Sequence, residues 1–127
     1  MSASPQSAAG SATILIVDDE LPITDIVAEV LGEEGFTTLV ALGGEHAIEL
    51  LASGKADLML LDLYMPGLSG LDVLNHLRAN GALDQLPVIV MTAGTVDSAD
   101  LSRLGAARVL AKPFEVDVLI DTVKALL

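Results

Sequence analysis

Short apolar runs alternating with amphipathic stretches constrain this chain more than any other feature. Ile14-Leu15-Ile16-Val17, Leu58-Met59-Leu60-Leu61 and Val88-Ile89-Val90-Met91 are continuous, not alternating, in their hydrophobicity. Runs of this length bounded by Gly, Pro or acid read as strands buried on both faces. Strands are predicted over Thr13–Val17, Thr37–Ala41, Leu58–Leu61, Pro87–Met91 and Arg108–Ala111. Between them the period changes to that of a helix. Ile23, Ile26, Val27, Val30 and Leu31 fall on one helical face, as do Val116, Leu119, Ile120 and Val123. Further helices are predicted around Gly44–Ala52, Leu71–Arg78 and Asp97–Leu104, and Gly35, Gly54, Gly81 and Gly105 stand where left-handed caps are wanted. Five such units predict an α/β fold, a single doubly wound five-stranded parallel sheet with helices on both faces.

The 127 residues suffice for one domain. Met1 to Ser11 are small and polar with no hydrophobic period, and are expected to form a disordered leader (1–11) before a domain over 12–127. Eighteen acids against six bases give a net charge of -12. That surface repels phosphate backbones and anionic lipid, so neither direct nucleic-acid nor membrane binding is expected, whereas divalent cations and basic partners are favoured. The absence of cysteine excludes disulfides, thiolate catalysis and cysteine-ligated zinc. No basic residue precedes Lys55, against a secretory or transit peptide, and every apolar run is far shorter than the ~20 residues that span a bilayer. A soluble, cytoplasmic protein is expected.

Two of the strands end in acid. Asp18 and Asp19 follow the first, and Asp62 follows the third, ahead of Pro66 and Gly67. Carboxyl ends of strands are where open α/β sheets bind ligands. Asp18, Asp19 and Asp62 could supply a hard oxygen site for Mg²⁺. A carboxylate attacking a phosphoryl group needs that metal to neutralise oxygens and a fixed cation opposite. Lys112, after the last strand, could be the cation, and Thr92, ending the fourth, could donate its hydroxyl to a phosphoryl oxygen.

With Val17-Asp18-Asp19, then Asp62 with Met65-Pro66-Gly67 and Gly70, then Thr92-Ala93, then Lys112-Pro113-Phe114, the chain resembles a response-regulator receiver domain of two-component signalling, with its flavodoxin-like fold, from Thr13 to Leu127. The resemblance implies Asp62 as phosphoacceptor, Asp19 as direct Mg²⁺ ligand, Asp18 as a ligand largely through water, and the Tyr64 carbonyl as the last protein ligand. It implies Thr92 as the switch hydroxyl, Lys112 as the phosphoryl contact and a cis Lys112–Pro113 bond. It implies a signalling switch, not a turnover enzyme, although family members catalyse their own phosphorylation and dephosphorylation. A sensor histidine kinase or phosphotransfer protein would be the donor. The readout would be a downstream protein effector or an output domain missing from this chain.

The chain departs from the pattern at Val109, where receivers usually carry Tyr or Phe, so the aromatic part of the usual readout is missing. The Thr92–Lys112 segment also looks about two residues shorter than is typical. A loop rearrangement at Gly94–Ser98 is the expected substitute readout. Glu20 is read only as favouring the first helix through its dipole, with Pro22 fitting that first turn. His46 and His76 are read as surface residues, and Met59, Met65 and Met91 as packing. A haloacid-dehalogenase-type phosphatase would want an Asp where Tyr64 stands. A receiver-like interaction module working without phosphorylation is the remaining alternative, kept open by Val109.

Overall fold

The computed structural model describes residues 12–93, 103 and 105–127. Strand β1 (Thr13–Val17) leads into α1 (Leu21–Glu33), β2 (Thr37–Ala41), α2 (Gly44–Ala52), β3 (Leu58–Asp62) and α3 (Gly70–Ala79). A 3-10 turn (Ala82–Asp84), β4 (Val88–Thr92), β5 (Arg108–Ala111) and a last helix, here α4 (Val116–Leu126), follow. The sheet is parallel throughout with strand order β2-β1-β3-β4-β5, the doubly wound arrangement that the sequence predicts.

Strand period two divides the core between the faces. Leu15, Val17, Met59, Leu61, Val88 and Val90 pack with Ala47 of α2 and Val73, Leu74 and Leu77 of α3. Ile14, Ile16, Leu58, Leu60, Ile89, Met91 and Leu110 pack with Val27 and Leu31 of α1 and Leu119 and Val123 of α4. Each buried aliphatic side chain contributes roughly 1.5–3 kcal/mol of transfer free energy. Helices on both faces account for strands with no polar alternation.

Two readings of helical faces are corrected. Ile26 and Val116 share the apolar faces of their helices yet stand 59% and 44% exposed. At 100° per residue Ile26 lies on the rim of its stripe, and Thr24 is buried beside Val27 instead, its hydroxyl donating to the Leu21 carbonyl at 2.9 Å. Val116 lies within its stripe but is the first residue of its helix, where it lines an open groove. The four capping glycines all have positive φ, from 72° at Gly54 to 96° at Gly35. The predicted leader and most of the predicted Asp97–Leu104 helix lie outside the described residues; Arg103 is helical.

Strands β3 and β4 run one residue further than the apolar runs suggest. Asp62 and Thr92 are their last residues, paired in register with Met91 and Ala111. At β1 and β3 the strand order reverses direction, which opens a crevice above their carboxyl ends.

Candidate functional site at the carboxyl edge

The ladder hydrogen bonds continue just past the strand ends and hold the site's backbone. Asp18 N–H donates to the Ala41 carbonyl at 3.2 Å, Leu63 N–H to Met91 at 3.2 Å, and Lys112 N–H to Thr92 at 2.9 Å. Asp18, Asp62 and Thr92 are thereby fixed at one rim. They are three of the four buried polar or charged residues among those described, the other being Thr24.

Close approach of α3 positions Asp62 further. A Cβ on Gly70 would stand 2.3 Å from the Asp62 carbonyl oxygen and 2.7 Å from Leu63 Cα. Gly70 N–H donates to the Leu63 carbonyl at 3.1 Å, and Ser69 with Asp72 forms a capping box that starts α3 there. Gly67, with φ of 74°, supplies the left-handed residue that turns the chain from β3 into this helix. Gly67 and Gly70 of the signature are therefore geometric requirements of the Asp62 loop.

Carboxylate oxygens of Asp18, Glu20 and Asp62 lie within 4.8 Å of one another. The Lys112 ammonium sits among them, 2.6 Å from Asp18 Oδ2, 3.2 Å from Glu20 Oε1 and 3.3 Å from Asp62 Oδ2. The remaining oxygens of both aspartates are also held: Asp18 Oδ1 accepts from Glu20 N–H at 2.9 Å, and Asp62 Oδ1 from Tyr64 N–H at 3.1 Å. Burial pushes the Asp62 carboxyl above the usual range, and Asp18 adds to this. The Tyr64 N–H and Lys112 pull against them without prevailing. Burial lowers the Lys112 ammonium, but the hydrogen bond and charge of Asp18, with Asp62 and Glu20, outweigh it and leave it raised.

Three of the residues singled out from sequence thus meet in one cleft, Asp18, Asp62 and Lys112, and Thr92 ends β4 at the same rim. Asp19 is exposed and outside the group of three carboxylates. Tyr64 contributes its N–H, while its ring is 63% exposed. The Lys112–Pro113 bond is cis. Val109 is half-buried and packs against the α2–α3 side of the core. Gly94–Ser98 lies outside the described residues. His46 and His76 are exposed, and Met59, Met65 and Met91 are buried.

Glu20 is the residue that sequence reasoning missed. It precedes α1 in extended conformation, with no side-chain cap bond, and its carboxylate turns to Lys112 instead. The available signal was stoichiometric: a lysine ammonium has three N–H donors, and Asp18 and Asp62 fill two. Beside this cleft an apolar groove runs between α1 and the start of α4, lined by Ile23, Ile26, Val27, Pro113, Phe114 and Val116.

The chain's relatives share this arrangement of strands. The family model of the response regulator receiver domain matches residues 14–124. Sporulation initiation phosphotransferase F of Bacillus subtilis is 38% identical over 113 residues, covering 87% of this chain and 90% of that protein. The transcriptional regulatory protein CpxR of Klebsiella pneumoniae is 41% identical over 116 residues, but this chain spans only 48% of its length. Response regulator MprA of Mycobacterium ulcerans is likewise covered over about half its length, 50%. Among solved structures, response regulator TrrA of Thermotoga maritima, in complex with Mg²⁺ and BeF, aligns with a TM-score of 0.80 at 39% identity, over 91% of this chain and 99% of that one. Vibrio cholerae CheY4 aligns with a TM-score of 0.85 at 25% identity, over 92% and 99%. On the family match and these relatives, the chain belongs to the response regulator receiver domain family.

Proposed function

We propose that residues 12–127 act as a phosphoacceptor switch in which Asp62 takes a phosphoryl group in the presence of Mg²⁺. The carrying observation is the cleft itself: a buried carboxylate at a strand end, flanked by Asp18 and faced by Lys112 at 3.3 Å. An oxygen of Asp62 would attack phosphorus, forming an acyl phosphate as the bond from phosphorus to the donor's leaving group breaks. Lys112 would then hold the phosphoryl oxygens from one side, and the Thr92 hydroxyl would be drawn toward them.

The donor chemistry of the site fits Mg²⁺. Three carboxylates converge on a single ammonium, the group carries net negative charge, and Asp62 resists ionisation. A hard divalent cation relieves that imbalance and favours oxygen ligands. Asp18 and Asp62 would hold it, with Asp19 and the Tyr64 carbonyl as the further ligands that the family resemblance implies. When bound, it would neutralise phosphoryl charge.

A protein donor is supported by the apolar groove at Ile26 and Val116, which opens beside Lys112 and Glu20. A histidine kinase or phosphotransfer protein docking there would bring a phosphohistidine to Asp62, and a protein effector or an attached output domain would read the result. The relationship to proteins about twice this length supports the latter. Receiver domains are signalling domains, so the product is a changed surface, not a released metabolite.

The test is intact mass after incubation with acetyl phosphate and Mg²⁺. One added phosphoryl group is expected on the unmodified chain and none on Asp62→Asn. No labelling in early time points would favour the phosphorylation-independent interaction module, the reading that Val109 supports because no ring stands there to rotate.

A further inference from the structure

Lys112 is the hub of the cleft, and its donor capacity is full. An ammonium has three N–H groups, and three carboxylates take them. A transferred phosphoryl group carries ≈ −1.5 to −2 charge and needs Lys112 as well. Some carboxylate must therefore yield its share of the ammonium when that group arrives.

The three differ sharply in how easily they can yield. Asp18 is fully buried, lies closest at 2.6 Å, and has its other oxygen held by Glu20 N–H. Asp62 is buried, with its other oxygen held by Tyr64 N–H, and is itself the proposed acceptor. Glu20 is 58% exposed at the side chain and is used by no cap bond. Its backbone is nonetheless fixed. The Glu20 N–H is bonded to Asp18, and its carbonyl accepts from Ile23 and Thr24 N–H at 3.0 and 3.2 Å. Only the side chain is free to swing, and it swings into water, where an ionised carboxylate is well solvated.

We propose that Glu20 is an anionic gate on Lys112, holding one of its N–H groups at rest and surrendering it to the incoming phosphoryl group. The inference rests on the phosphoacceptor reading and deepens it. Glu20 both neutralises part of the ammonium and adds a negative charge at the mouth, so it opposes dianionic donors twice. It is a positioning residue: it acts through Lys112 and takes no part in bond making.

An exposed ion pair is worth little, which bounds the effect at about two- to fivefold. Phosphorylation by acetyl phosphate at saturating Mg²⁺ is expected to be faster by that factor in Glu20→Gln, and Glu20→Ala is expected to match it. A second readout needs no turnover. Tyr64 is the only tyrosine, there is no tryptophan, and its N–H is bonded to Asp62. Its fluorescence can report binding of beryllofluoride with Mg²⁺, which both variants should bind more tightly by a similar factor. Both gains should shrink near 1 M salt, where the screening length is about 3 Å. A role confined to starting α1 would lower the melting temperature and leave rate and affinity together unchanged.

Unmodified protein that is labelled while Glu20→Gln is labelled no faster, and binds beryllofluoride no tighter, overturns the gate alone. Slower labelling with weaker binding overturns it in the opposite direction, making Glu20 a helper of Lys112 or of the metal. Unmodified protein that neither accepts a phosphoryl group nor binds beryllofluoride overturns the phosphoacceptor reading, and the gate falls with it.

Discussion

Strand β3 has an aspartate at each end, and the two live in opposite physical worlds. Asp57, just before the strand, is exposed and accepts a 2.7 Å hydrogen bond from Thr13 N–H, closing the amino edge of the sheet. Asp62, five positions on, ends the strand with a side chain only 6% exposed and a carboxyl raised by burial. Water solvates the first, so its charge costs little. In the second, burial works against the charged form, and only the Tyr64 N–H and the Lys112 ammonium favour it. The same side chain is thus a structural tie at one edge and, in the proposed function, the phosphoacceptor at the other. Position along the strand and depth of burial make the difference.

The largest test of this contrast removes the cation. Lys112→Met keeps the apolar stem but leaves Asp18, Glu20 and Asp62 with no opposing charge among the described contacts. Stripping one partner from a buried ionic group costs roughly 3–5 kcal/mol, and the exposure of Glu20 argues for the low end, about 3 kcal/mol. Urea unfolding without Mg²⁺ should show that loss, and Mg²⁺ should restore more stability in the variant than it adds to the unmodified chain. An unchanged midpoint would mean that the carboxylates are not interacting through Lys112.

Gly70→Ala tests the positioning of Asp62 next. The added Cβ would meet the Asp62 carbonyl at 2.3 Å, so the loop or α3 must move, at roughly 1–3 kcal/mol. Mg²⁺ affinity and labelling by acetyl phosphate should fall with it. Gly32→Ala on α1 is the control: nothing lies within 4 Å of its would-be Cβ, and the helix should gain up to about 1 kcal/mol with Mg²⁺ affinity intact. Equal Mg²⁺ affinity in both variants would dissociate the α3 contact from the site.

These residues also mark how far the sequence could be read. Continuous apolar runs predict the strands closely, because double burial leaves no room for polar alternation, and Asp18, Asp62, Thr92 and Lys112 were legible as residues at strand ends. The exposure of Ile26 and Val116 was not, since period gives neither how wide a stripe is covered nor how much of a helix's first turn is packed. Glu20 escaped for a different reason. Its partner is an ammonium 92 positions away, and no local pattern encodes that contact. Asp19 is the converse, prominent in the motif yet exposed and apart from the three carboxylates in this arrangement.

The smallest expected effect returns to the two aspartates and carries a sign. In the folded chain the Asp62 carboxyl is raised above its unfolded value of about 3.9. Between the two values the folded state binds more protons than the unfolded state, so stability falls as pH rises through that window. The penalty is absent below the unfolded value and complete above the folded one. Asp62→Asn removes it. Without Mg²⁺ the variant should therefore melt higher than the unmodified chain at pH 7, with the difference shrinking toward pH 3. Saturating Mg²⁺ should erase or reverse the difference, because the cation favours the charged form that Asn cannot supply. Asp57→Asn has no buried charge to relieve and keeps an amide oxygen for Thr13 N–H. It should melt within about 1 kcal/mol of the unmodified chain, with no Mg²⁺-dependent change of sign. If metal-free Asp62→Asn melts no higher than Asp57→Asn at pH 7, the two edges of the sheet do not treat a carboxylate differently.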